Sequence, residues 1–294
     1  MSYMAVTVSA PAKINLTLDI TGKRADGYHS VDMIMQSISL YDTVTVAPAR
    51  EPGIKITCSD RALPCDERNT AYKAARLFLK EIQKDEGAAI SIHKQIPKEA
   101  GLAGGSSDAA AVLLALNKIH GEPLTLGELS ELAALVGADV PFCLYGGTMH
   151  AAGTGTRLQT VYSLPDCFIV LAKPPIGVST KEAYRLCDGR PYSAKPHSEQ
   201  LLAHLKDGSI QEAAQSLYND FEEVLRLEPV DKIKETLLSS GACGACMTGS
   251  GPSVFGIFTN EQKAYGCAQA LTKQYREIFV VRPTPNGCFI SETE

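Results

Sequence analysis

No apolar run in this 294-residue chain approaches the roughly 20 residues a membrane-spanning helix requires; the longest, Ala109–Leu116 and Cys167–Ala172, stop far short. The opening Met1-Ser-Tyr-Met-Ala carries neither a basic stretch nor an apolar signal core, so export is not expected. An excess of basic residues is also missing. The net charge of −5 argues against a nucleic-acid partner, because phosphate backbones reward a basic face. Nine cysteines, an odd number, do not form a disulfide framework in a chain this long, and the reading is reduced thiols in the cytoplasm. Cys243-Gly-Ala-Cys246 has no second pair and no nearby histidine, so it makes a poor zinc site. Two familiar nucleotide signatures are absent as well: no Gly-Lys-Ser/Thr closes a P-loop, and no Gly-x-Gly-x-x-Gly occurs. Internal repeats and low-complexity tracts are lacking. What remains, at 45% hydrophobic and 21% charged, is an ordinary globular chain with ample core.

The most informative stretch present is Gly101-Leu-Ala-Gly-Gly-Ser-Ser-Asp108, which leads directly into Ala109, Val112, Leu113 and Leu116, the three-and-four spacing of a buried helical face. Ser106 and Ser107 are placed to cap that helix. A turn with little side-chain bulk lets backbone close on a ligand, while the helix start adds free N–H groups and positive dipole. By itself the stretch fits a phosphate cradle or simply a capped helix after a flexible turn.

Elsewhere, alternation predicts a strand from residue 4, a loop at Pro11–Asn15, and a second strand over Leu16–Ile20. Thr21–His29 reads as a polar turn, and Val31–Leu40, Thr43–Ala47, Ile54–Cys58 and Ala89–His93 as strands. Helices are expected from Asn69 to Leu79 and from Thr125 to Val136, then at Ile210–Tyr218, Val230–Ser239 and Glu261–Tyr275. Strands are expected at Phe168–Ala172, Val254–Phe258 and Ile278–Val281. The pattern restarts after residue 160, which suggests domains of 1–160 and 161–294.

Three stretches then recur in a telling order: Pro11-Ala-Lys-Ile-Asn-Leu16, Pro97-Lys-Glu-Ala-Gly-Leu-Ala-Gly-Gly-Ser-Ser-Asp108 and Met247-Thr-Gly-Ser-Gly-Pro-Ser-Val254. Together they resemble the three signature motifs of the GHMP kinases (galactose, homoserine, mevalonate and phosphomevalonate kinases), over nearly the whole chain. The likeness is strongest to members that act on a CDP-linked methylerythritol, through Ala12–Leu18 followed by Arg24-Ala-Asp-Gly-Tyr-His29, and through Gly137-Ala-Asp-Val-Pro-Phe142. The resemblance implies an α+β, two-domain fold: an N-terminal domain like domain 2 of ribosomal protein S5, then a ferredoxin-like domain, with ATP and acceptor meeting in the cleft between them. It implies transfer of phosphate to the 2-hydroxyl of the CDP-linked acceptor, on the non-mevalonate route to isoprenoid precursors.

Residue roles follow from the same resemblance. Asp139 would take the proton from the acceptor hydroxyl; its alternative is a capping aspartate. Lys13 would stand near both the γ-phosphate and Asp139, unless it is an ordinary edge lysine. Asn15 would hydrogen-bond the acceptor polyol. Tyr28 and His29 would hold cytosine, with Tyr184 on the opposite ring face and Thr180 near the acceptor; Tyr184 fits helix packing as well. Gly101, Gly104, Gly105, Ser106 and Ser107 would cradle the phosphates of ATP. Asn69 and Lys94 would lie near adenine, with a helix cap and an edge lysine as their alternatives. Asp108 at a helix start suits the dipole but repels phosphate unless screened, and Ala103 is tolerable in the loop only with negative φ. Mg²⁺ is expected with ATP on chemical grounds, with no ligand assigned. Another small-alcohol kinase of the family, of homoserine or mevalonate type, and a non-catalytic nucleotide or sugar sensor remain open alternatives.

Overall fold

The computed structural model describes residues 5–49, 51–192 and 195–293; the expected strand start at residue 4 lies outside them. Two long strands organise the molecule. β1 (Val6–Lys23) and β2 (His29–Ala49) pair antiparallel, from Val6 opposite Val46 to Lys23 opposite His29. The turn between them closes where Arg24 N–H donates to the Tyr28 carbonyl and Gly27 takes a φ of 86°, a conformation that suits glycine.

The loop expected at Pro11–Asn15 is instead part of a continuous β1. Its register against β2 shifts between Pro11 and Ala12 and again between Asn15 and Thr17, and these irregularities re-aim the side chains. Val6, Val8 and Ala10 belong to one core, Ala12, Ile14 and Leu16 to the other, and Leu18 and Ile20 return to the first. Lys13 and Asn15 consequently occupy the opposite face of the middle stretch. A sequence pattern that alternates but changes sides was misread as a break.

The first half continues with β3 (Gly53–Cys58), α1 (Thr70–Glu81), β4 (Gly87–His93), α2 (Gly104–Ile119), α3 (Leu126–Val136), α4 (Val140–Tyr145), β5 (Thr148–Gly153) and β6 (Arg157–Thr160). The far edge of β2 is shared: Val31–Gln36 pair with β5, and Thr43–Ala49 with β4. The predicted apolar faces are buried in α1 (Ala71, Ala74, Ala75, Phe78) and in α2 (Ala109, Val112, Leu113, Leu116).

The second half comprises β7 (Phe168–Lys173), α5 (Thr180–Cys187), α6 (Ser198–Lys206), α7 (Ile210–Gln215), β8 (Tyr218–Asn219), α8 (Asp220–Leu225), α9 (Glu228–Ser239), β9 (Gly244–Met247), β10 (Val254–Phe258), α10 (Glu261–Leu271), β11 (Glu277–Val281) and β12 (Phe289–Thr293). Its sheet runs β11-β7-β10-β9 with every neighbour antiparallel. In order of appearance that is fourth, first, third, second, the ferredoxin-like arrangement. Ile169, Leu171, Phe255 and Ile257 face Ile14 and Leu16 in one core, while Val170, Val254 and Phe258 join Ile233, Leu237 and Leu271 of α9 and α10 in the other.

Two strands return to the first sheet: β8 beside Thr17 and Leu18, and β12 beside Val6–Ser9. The helix expected over Ile210–Tyr218 therefore stops at Gln215, because the following residues are captured by the edge of β1. No helix among the described residues is long and apolar enough to cross a membrane.

Candidate active site

The three glycine- and lysine-bearing stretches converge. Lys13 N–H donates to the Leu102 carbonyl at 3.1 Å, which fastens β1 to the glycine loop. Asn15 N–H donates to Thr248 Oγ1 at 3.0 Å, Gly249 N–H donates to Asn15 Oδ1 at 3.0 Å, and Thr248 Oγ1 donates to the Gly101 carbonyl at 3.3 Å. The loops approach so closely that a Cβ on Gly101 (φ 73°) would lie 2.0 Å from the Thr248 carbonyl oxygen. Glycine is required there by both the backbone angle and the contact. Asn219 clamps the third loop from below, its Nδ2 donating to the carbonyls of Met247 at 2.7 Å and Gly249 at 2.9 Å.

Around this knot opens a cleft of about 730 Å³. Helix α2 starts at its rim. Its first internal bond runs from Ser107 N to the Ala103 carbonyl, so the N–H groups of Gly104, Gly105 and Ser106 have no carbonyl within the helix to bond. Free donors and a helix dipole of this kind are the features that favour an anion at a helix start. Two expectations are corrected at this point. The serines do not cap the helix: it begins at Gly104 with no side-chain cap, and Ser107 Oγ instead donates to the Pro11 carbonyl at 2.7 Å. Ala103 takes the left-handed conformation, φ 57° and ψ 28°, which costs a non-glycine residue about 1–2 kcal/mol.

Lys13 and Asp139 face each other across the cleft floor, Nζ to Oδ2 3.8 Å. The lysine side chain is only 5% exposed and is held by Asn15 Oδ1 at 2.6 Å, so it is not an edge lysine. Asp139 precedes α4 yet makes no capping bond, and at 31% exposure its carboxylate is open to a ligand. Asn15 lines the cleft but is fully buried. Its Oδ1 is occupied by Lys13 and Gly249, while its Nδ2 donates to the weak acceptor Met33 Sδ.

Asn69 caps α1, accepting from Ala71 N–H, and also lines the cleft. Thr70 Oγ1 donates to the Gly105 carbonyl at 2.7 Å and joins the starts of the two helices. Lys94 is buried beneath the loop. Its Nζ binds Asp108 Oδ2 at 2.6 Å and also Asp42 Oδ2. Burial pulls the Lys94 ammonium down, but the two carboxylates outweigh it and the net shift is upward. Burial pushes Asp108 up to about 7. Asp42 in this trio was not anticipated; an aspartate inside a strand pattern gives no signal that a lysine fifty residues later will reach it.

At the far end, Thr180 Oγ1 lies 2.8 Å from Ser250 Oγ, and Tyr184 lines the cleft. The aromatic pair is divided. Tyr28 stands 70% exposed at the tip of the β1–β2 turn, whereas His29 stacks on Tyr184, centroids 4.9 Å apart and planes 22° apart. Neither Tyr28 nor His29 lines the cleft, and at this separation no base fits between His29 and Tyr184. Asp188 binds His29 Nε2 at 2.7 Å and Lys23 Nζ at 2.6 Å, tethering α5 to the turn; the sequence offered no hint of it.

Comparison with known proteins accords with this geometry. The pattern of the GHMP kinases N terminal domain matches residues 69–147, and that of the GHMP kinases C terminal matches residues 201–277. The chain is 43% identical to 4-diphosphocytidyl-2-C-methyl-D-erythritol kinase of Clostridium kluyveri over 94% of this chain and 99% of that protein. It is 44% identical to the same enzyme of Brevibacillus brevis, over 95% and 96%. A crystal structure of 4-(cytidine 5'-diphospho)-2C-methyl-D-erythritol kinase superimposes with a TM-score of 0.80 at 33% identity, covering 94% of this chain and 98% of that one.

Proposed function

Because the chain belongs to the 4-diphosphocytidyl-2-C-methyl-D-erythritol kinase family of the GHMP kinases, we propose that it moves the γ-phosphoryl group of ATP onto the 2-hydroxyl of 4-diphosphocytidyl-2-C-methyl-D-erythritol, a step towards isoprenoid precursors. The observation that carries this reading is the convergence in one cleft of an anion-binding helix start, a buried ammonium and an uncapped carboxylate.

Phosphoryl transfer asks a protein chiefly for positioning and charge neutralisation. The ATP phosphates lie over the N–H groups of Gly104, Gly105 and Ser106. Asp139 accepts the proton of the acceptor hydroxyl as its oxygen forms the new P–O bond; the bond from the γ-phosphorus to ADP breaks, and ADP leaves with the electron pair. Lys13, 3.8 Å from Asp139, offsets charge on the phosphoryl oxygens in flight and holds the carboxylate in register. Asn69 bounds the nucleotide end of the cleft, while Thr180 and Tyr184 bound the acceptor end. Cytosine stacks on the exposed face of Tyr28, with His29 and Tyr184 as a preformed wall rather than opposite jaws.

Mg²⁺ would enter with the nucleotide, supplying charge neutralisation at its phosphates. Among the described residues no group of three or more His, Cys, Asp or Glu is arranged to hold an ion, and the Asp42 and Asp108 carboxylates both pair with Lys94.

The test is ATP turnover with Mg²⁺ against the CDP-linked methylerythritol, homoserine, mevalonate, galactose and no acceptor. Turnover with the CDP-linked compound alone is expected. Turnover with another alcohol instead would keep the kinase and discard the cytosine contacts, and ATP binding without any turnover would favour a sensor.

A further inference from the structure

Under the glycine loop, at the wall of the same cleft, lies a charge cluster to which the transfer described above assigns no step. One ammonium, Lys94, serves two carboxylates, Asp42 and Asp108, in a pocket where the three side chains are at most 9% exposed. The cluster carries a net charge of −1 when all three groups are ionised. It lies close to the proposed phosphate site, since a Cβ on Gly104 would fall 3.3 Å from Lys94 Nζ. The group nearest the loop is the Lys94 ammonium, yet with both carboxylates ionised the cluster is negative overall, so phosphate entering the loop adds to a buried negative charge that one cation does not offset.

The two carboxylates are not equivalent. Asp42 Oδ1 accepts from the backbone N–H groups of Gln95 at 2.6 Å and Ile96 at 2.9 Å, so both of its oxygens are already in use. Asp108 Oδ1 is buried with no hydrogen-bond partner. A proton there would cost no existing bond. The other groups facing Asp108 are the thiols of Cys58 from β3 and Cys288 ahead of β12, and beyond Lys94 lies the Asp60–Lys98 pair at 3.5 Å. None of these supplies the cluster with a second cation in contact.

We propose that Asp108 is a positioning residue whose carboxylate takes a proton from solvent when nucleotide phosphates enter the glycine loop, so that nucleotide binding is proton-linked. This rests on reading the cleft as an ATP site. Protonation of Oδ1 takes the cluster from −1 to neutral and removes the repulsion behind the loop, while Lys94 keeps its ion pair with Asp42 and its hydrogen bond to Asp108 Oδ2. The group is suited to the task near neutrality, since burial already holds Asp108 at about 7.

The experiment is calorimetric titration of the full chain with ADP and Mg²⁺ at pH 8 in buffers of differing ionisation enthalpy. That pH lies well above the second phosphate ionisation at about 6, so uptake by the ligand itself is small. The expected result is a binding heat that varies with buffer in the sense of uptake of up to one proton per ADP, declining toward pH 6, where Asp108 is already protonated. Asp108→Asn, which removes the charge and keeps the shape, is expected to bind ADP with heats independent of buffer. Buffer-independent heats in the wild type would overturn the proposal, as would uptake undiminished at pH 6 or equal uptake in the variant. Failure of ADP to bind the wild type at all would instead overturn the reading of the cleft, and this proposal with it.

Discussion

Thr248→Val tests whether the meeting of the three motifs holds the site together. Threonine and valine are nearly isosteric, so the substitution deletes one hydroxyl and opens no cavity. That hydroxyl accepts from Asn15 N–H at 3.0 Å and donates to the Gly101 carbonyl at 3.3 Å, and both Asn15 and Thr248 are fully buried. An amide donor left buried without a partner costs about 1–3 kcal/mol, and loss of the longer second bond adds about 0.5–1 kcal/mol. The expected destabilisation is therefore about 1.5–4 kcal/mol, read as a fall in midpoint in urea unfolding followed by circular dichroism. Because the same hydroxyl spaces the glycine loop from β1, kcat/KM for ATP should fall by about tenfold, a separate loss of about 1.4 kcal/mol in transition-state stabilisation. Thr248→Ser keeps both bonds and should retain most of the stability and the rate. A valine variant within about 0.5 kcal/mol of wild type, with unchanged kinetics, would refute the view that this contact carries the geometry.

Asp139→Asn should lower turnover by about 10²–10⁴-fold while ADP affinity measured by calorimetry stays within a few-fold; near-normal turnover would remove Asp139 as the base. Tyr28→Ala should raise KM for the CDP-linked acceptor by roughly 5- to 150-fold, the 1–3 kcal/mol of one stacked base. Its melting temperature should not change, since the ring is 70% exposed. Burial holds Asp108 at about 7 in the folded chain, above the ordinary carboxylate value of 3.8, so between those limits the folded chain holds a proton that the unfolded chain has lost. Stability from this group accordingly falls as pH rises through that window. Unfolding free energies measured from pH 4.5 to 8 should decline less steeply in Asp108→Asn than in wild type, and parallel curves would contradict the assignment.

Much of the fold was legible because its determinants are local. The apolar spacing of α1 and α2 and the signals at Asn69 and Thr125, which cap α1 and α3, need no knowledge of partners. β1 was not legible in the same way. Its side chains change faces at two register shifts, with the extra residues on β2 at the first and on β1 at the second, and such shifts are defined only by the pairing of the two strands. β8 was missed for a related reason: two residues form a strand only where an edge of β1 is free to take them.

In the site, the residue types and their order along the chain belong to the sequence: a lysine in an apolar stretch, a small-residue loop before a helix, an aspartate in a Gly-Ala-Asp-Val-Pro context. Those chemistries do not depend on the fold; the glycine stretch alone left a phosphate cradle and a capped helix both open, and proton transfer by Asp139 was implied by the family resemblance. Which of the alternatives each residue follows was decided by tertiary structure alone. Lys13 became a buried partner of Asp139, Asp139 was left uncapped, Lys94 was enclosed by carboxylates from β2 and α2, and His29 was stacked on Tyr184 across more than 150 residues of chain. Burial and distance between remote segments set charge, hydrogen-bond occupancy and access, and these quantities have no value until the chain has closed on itself.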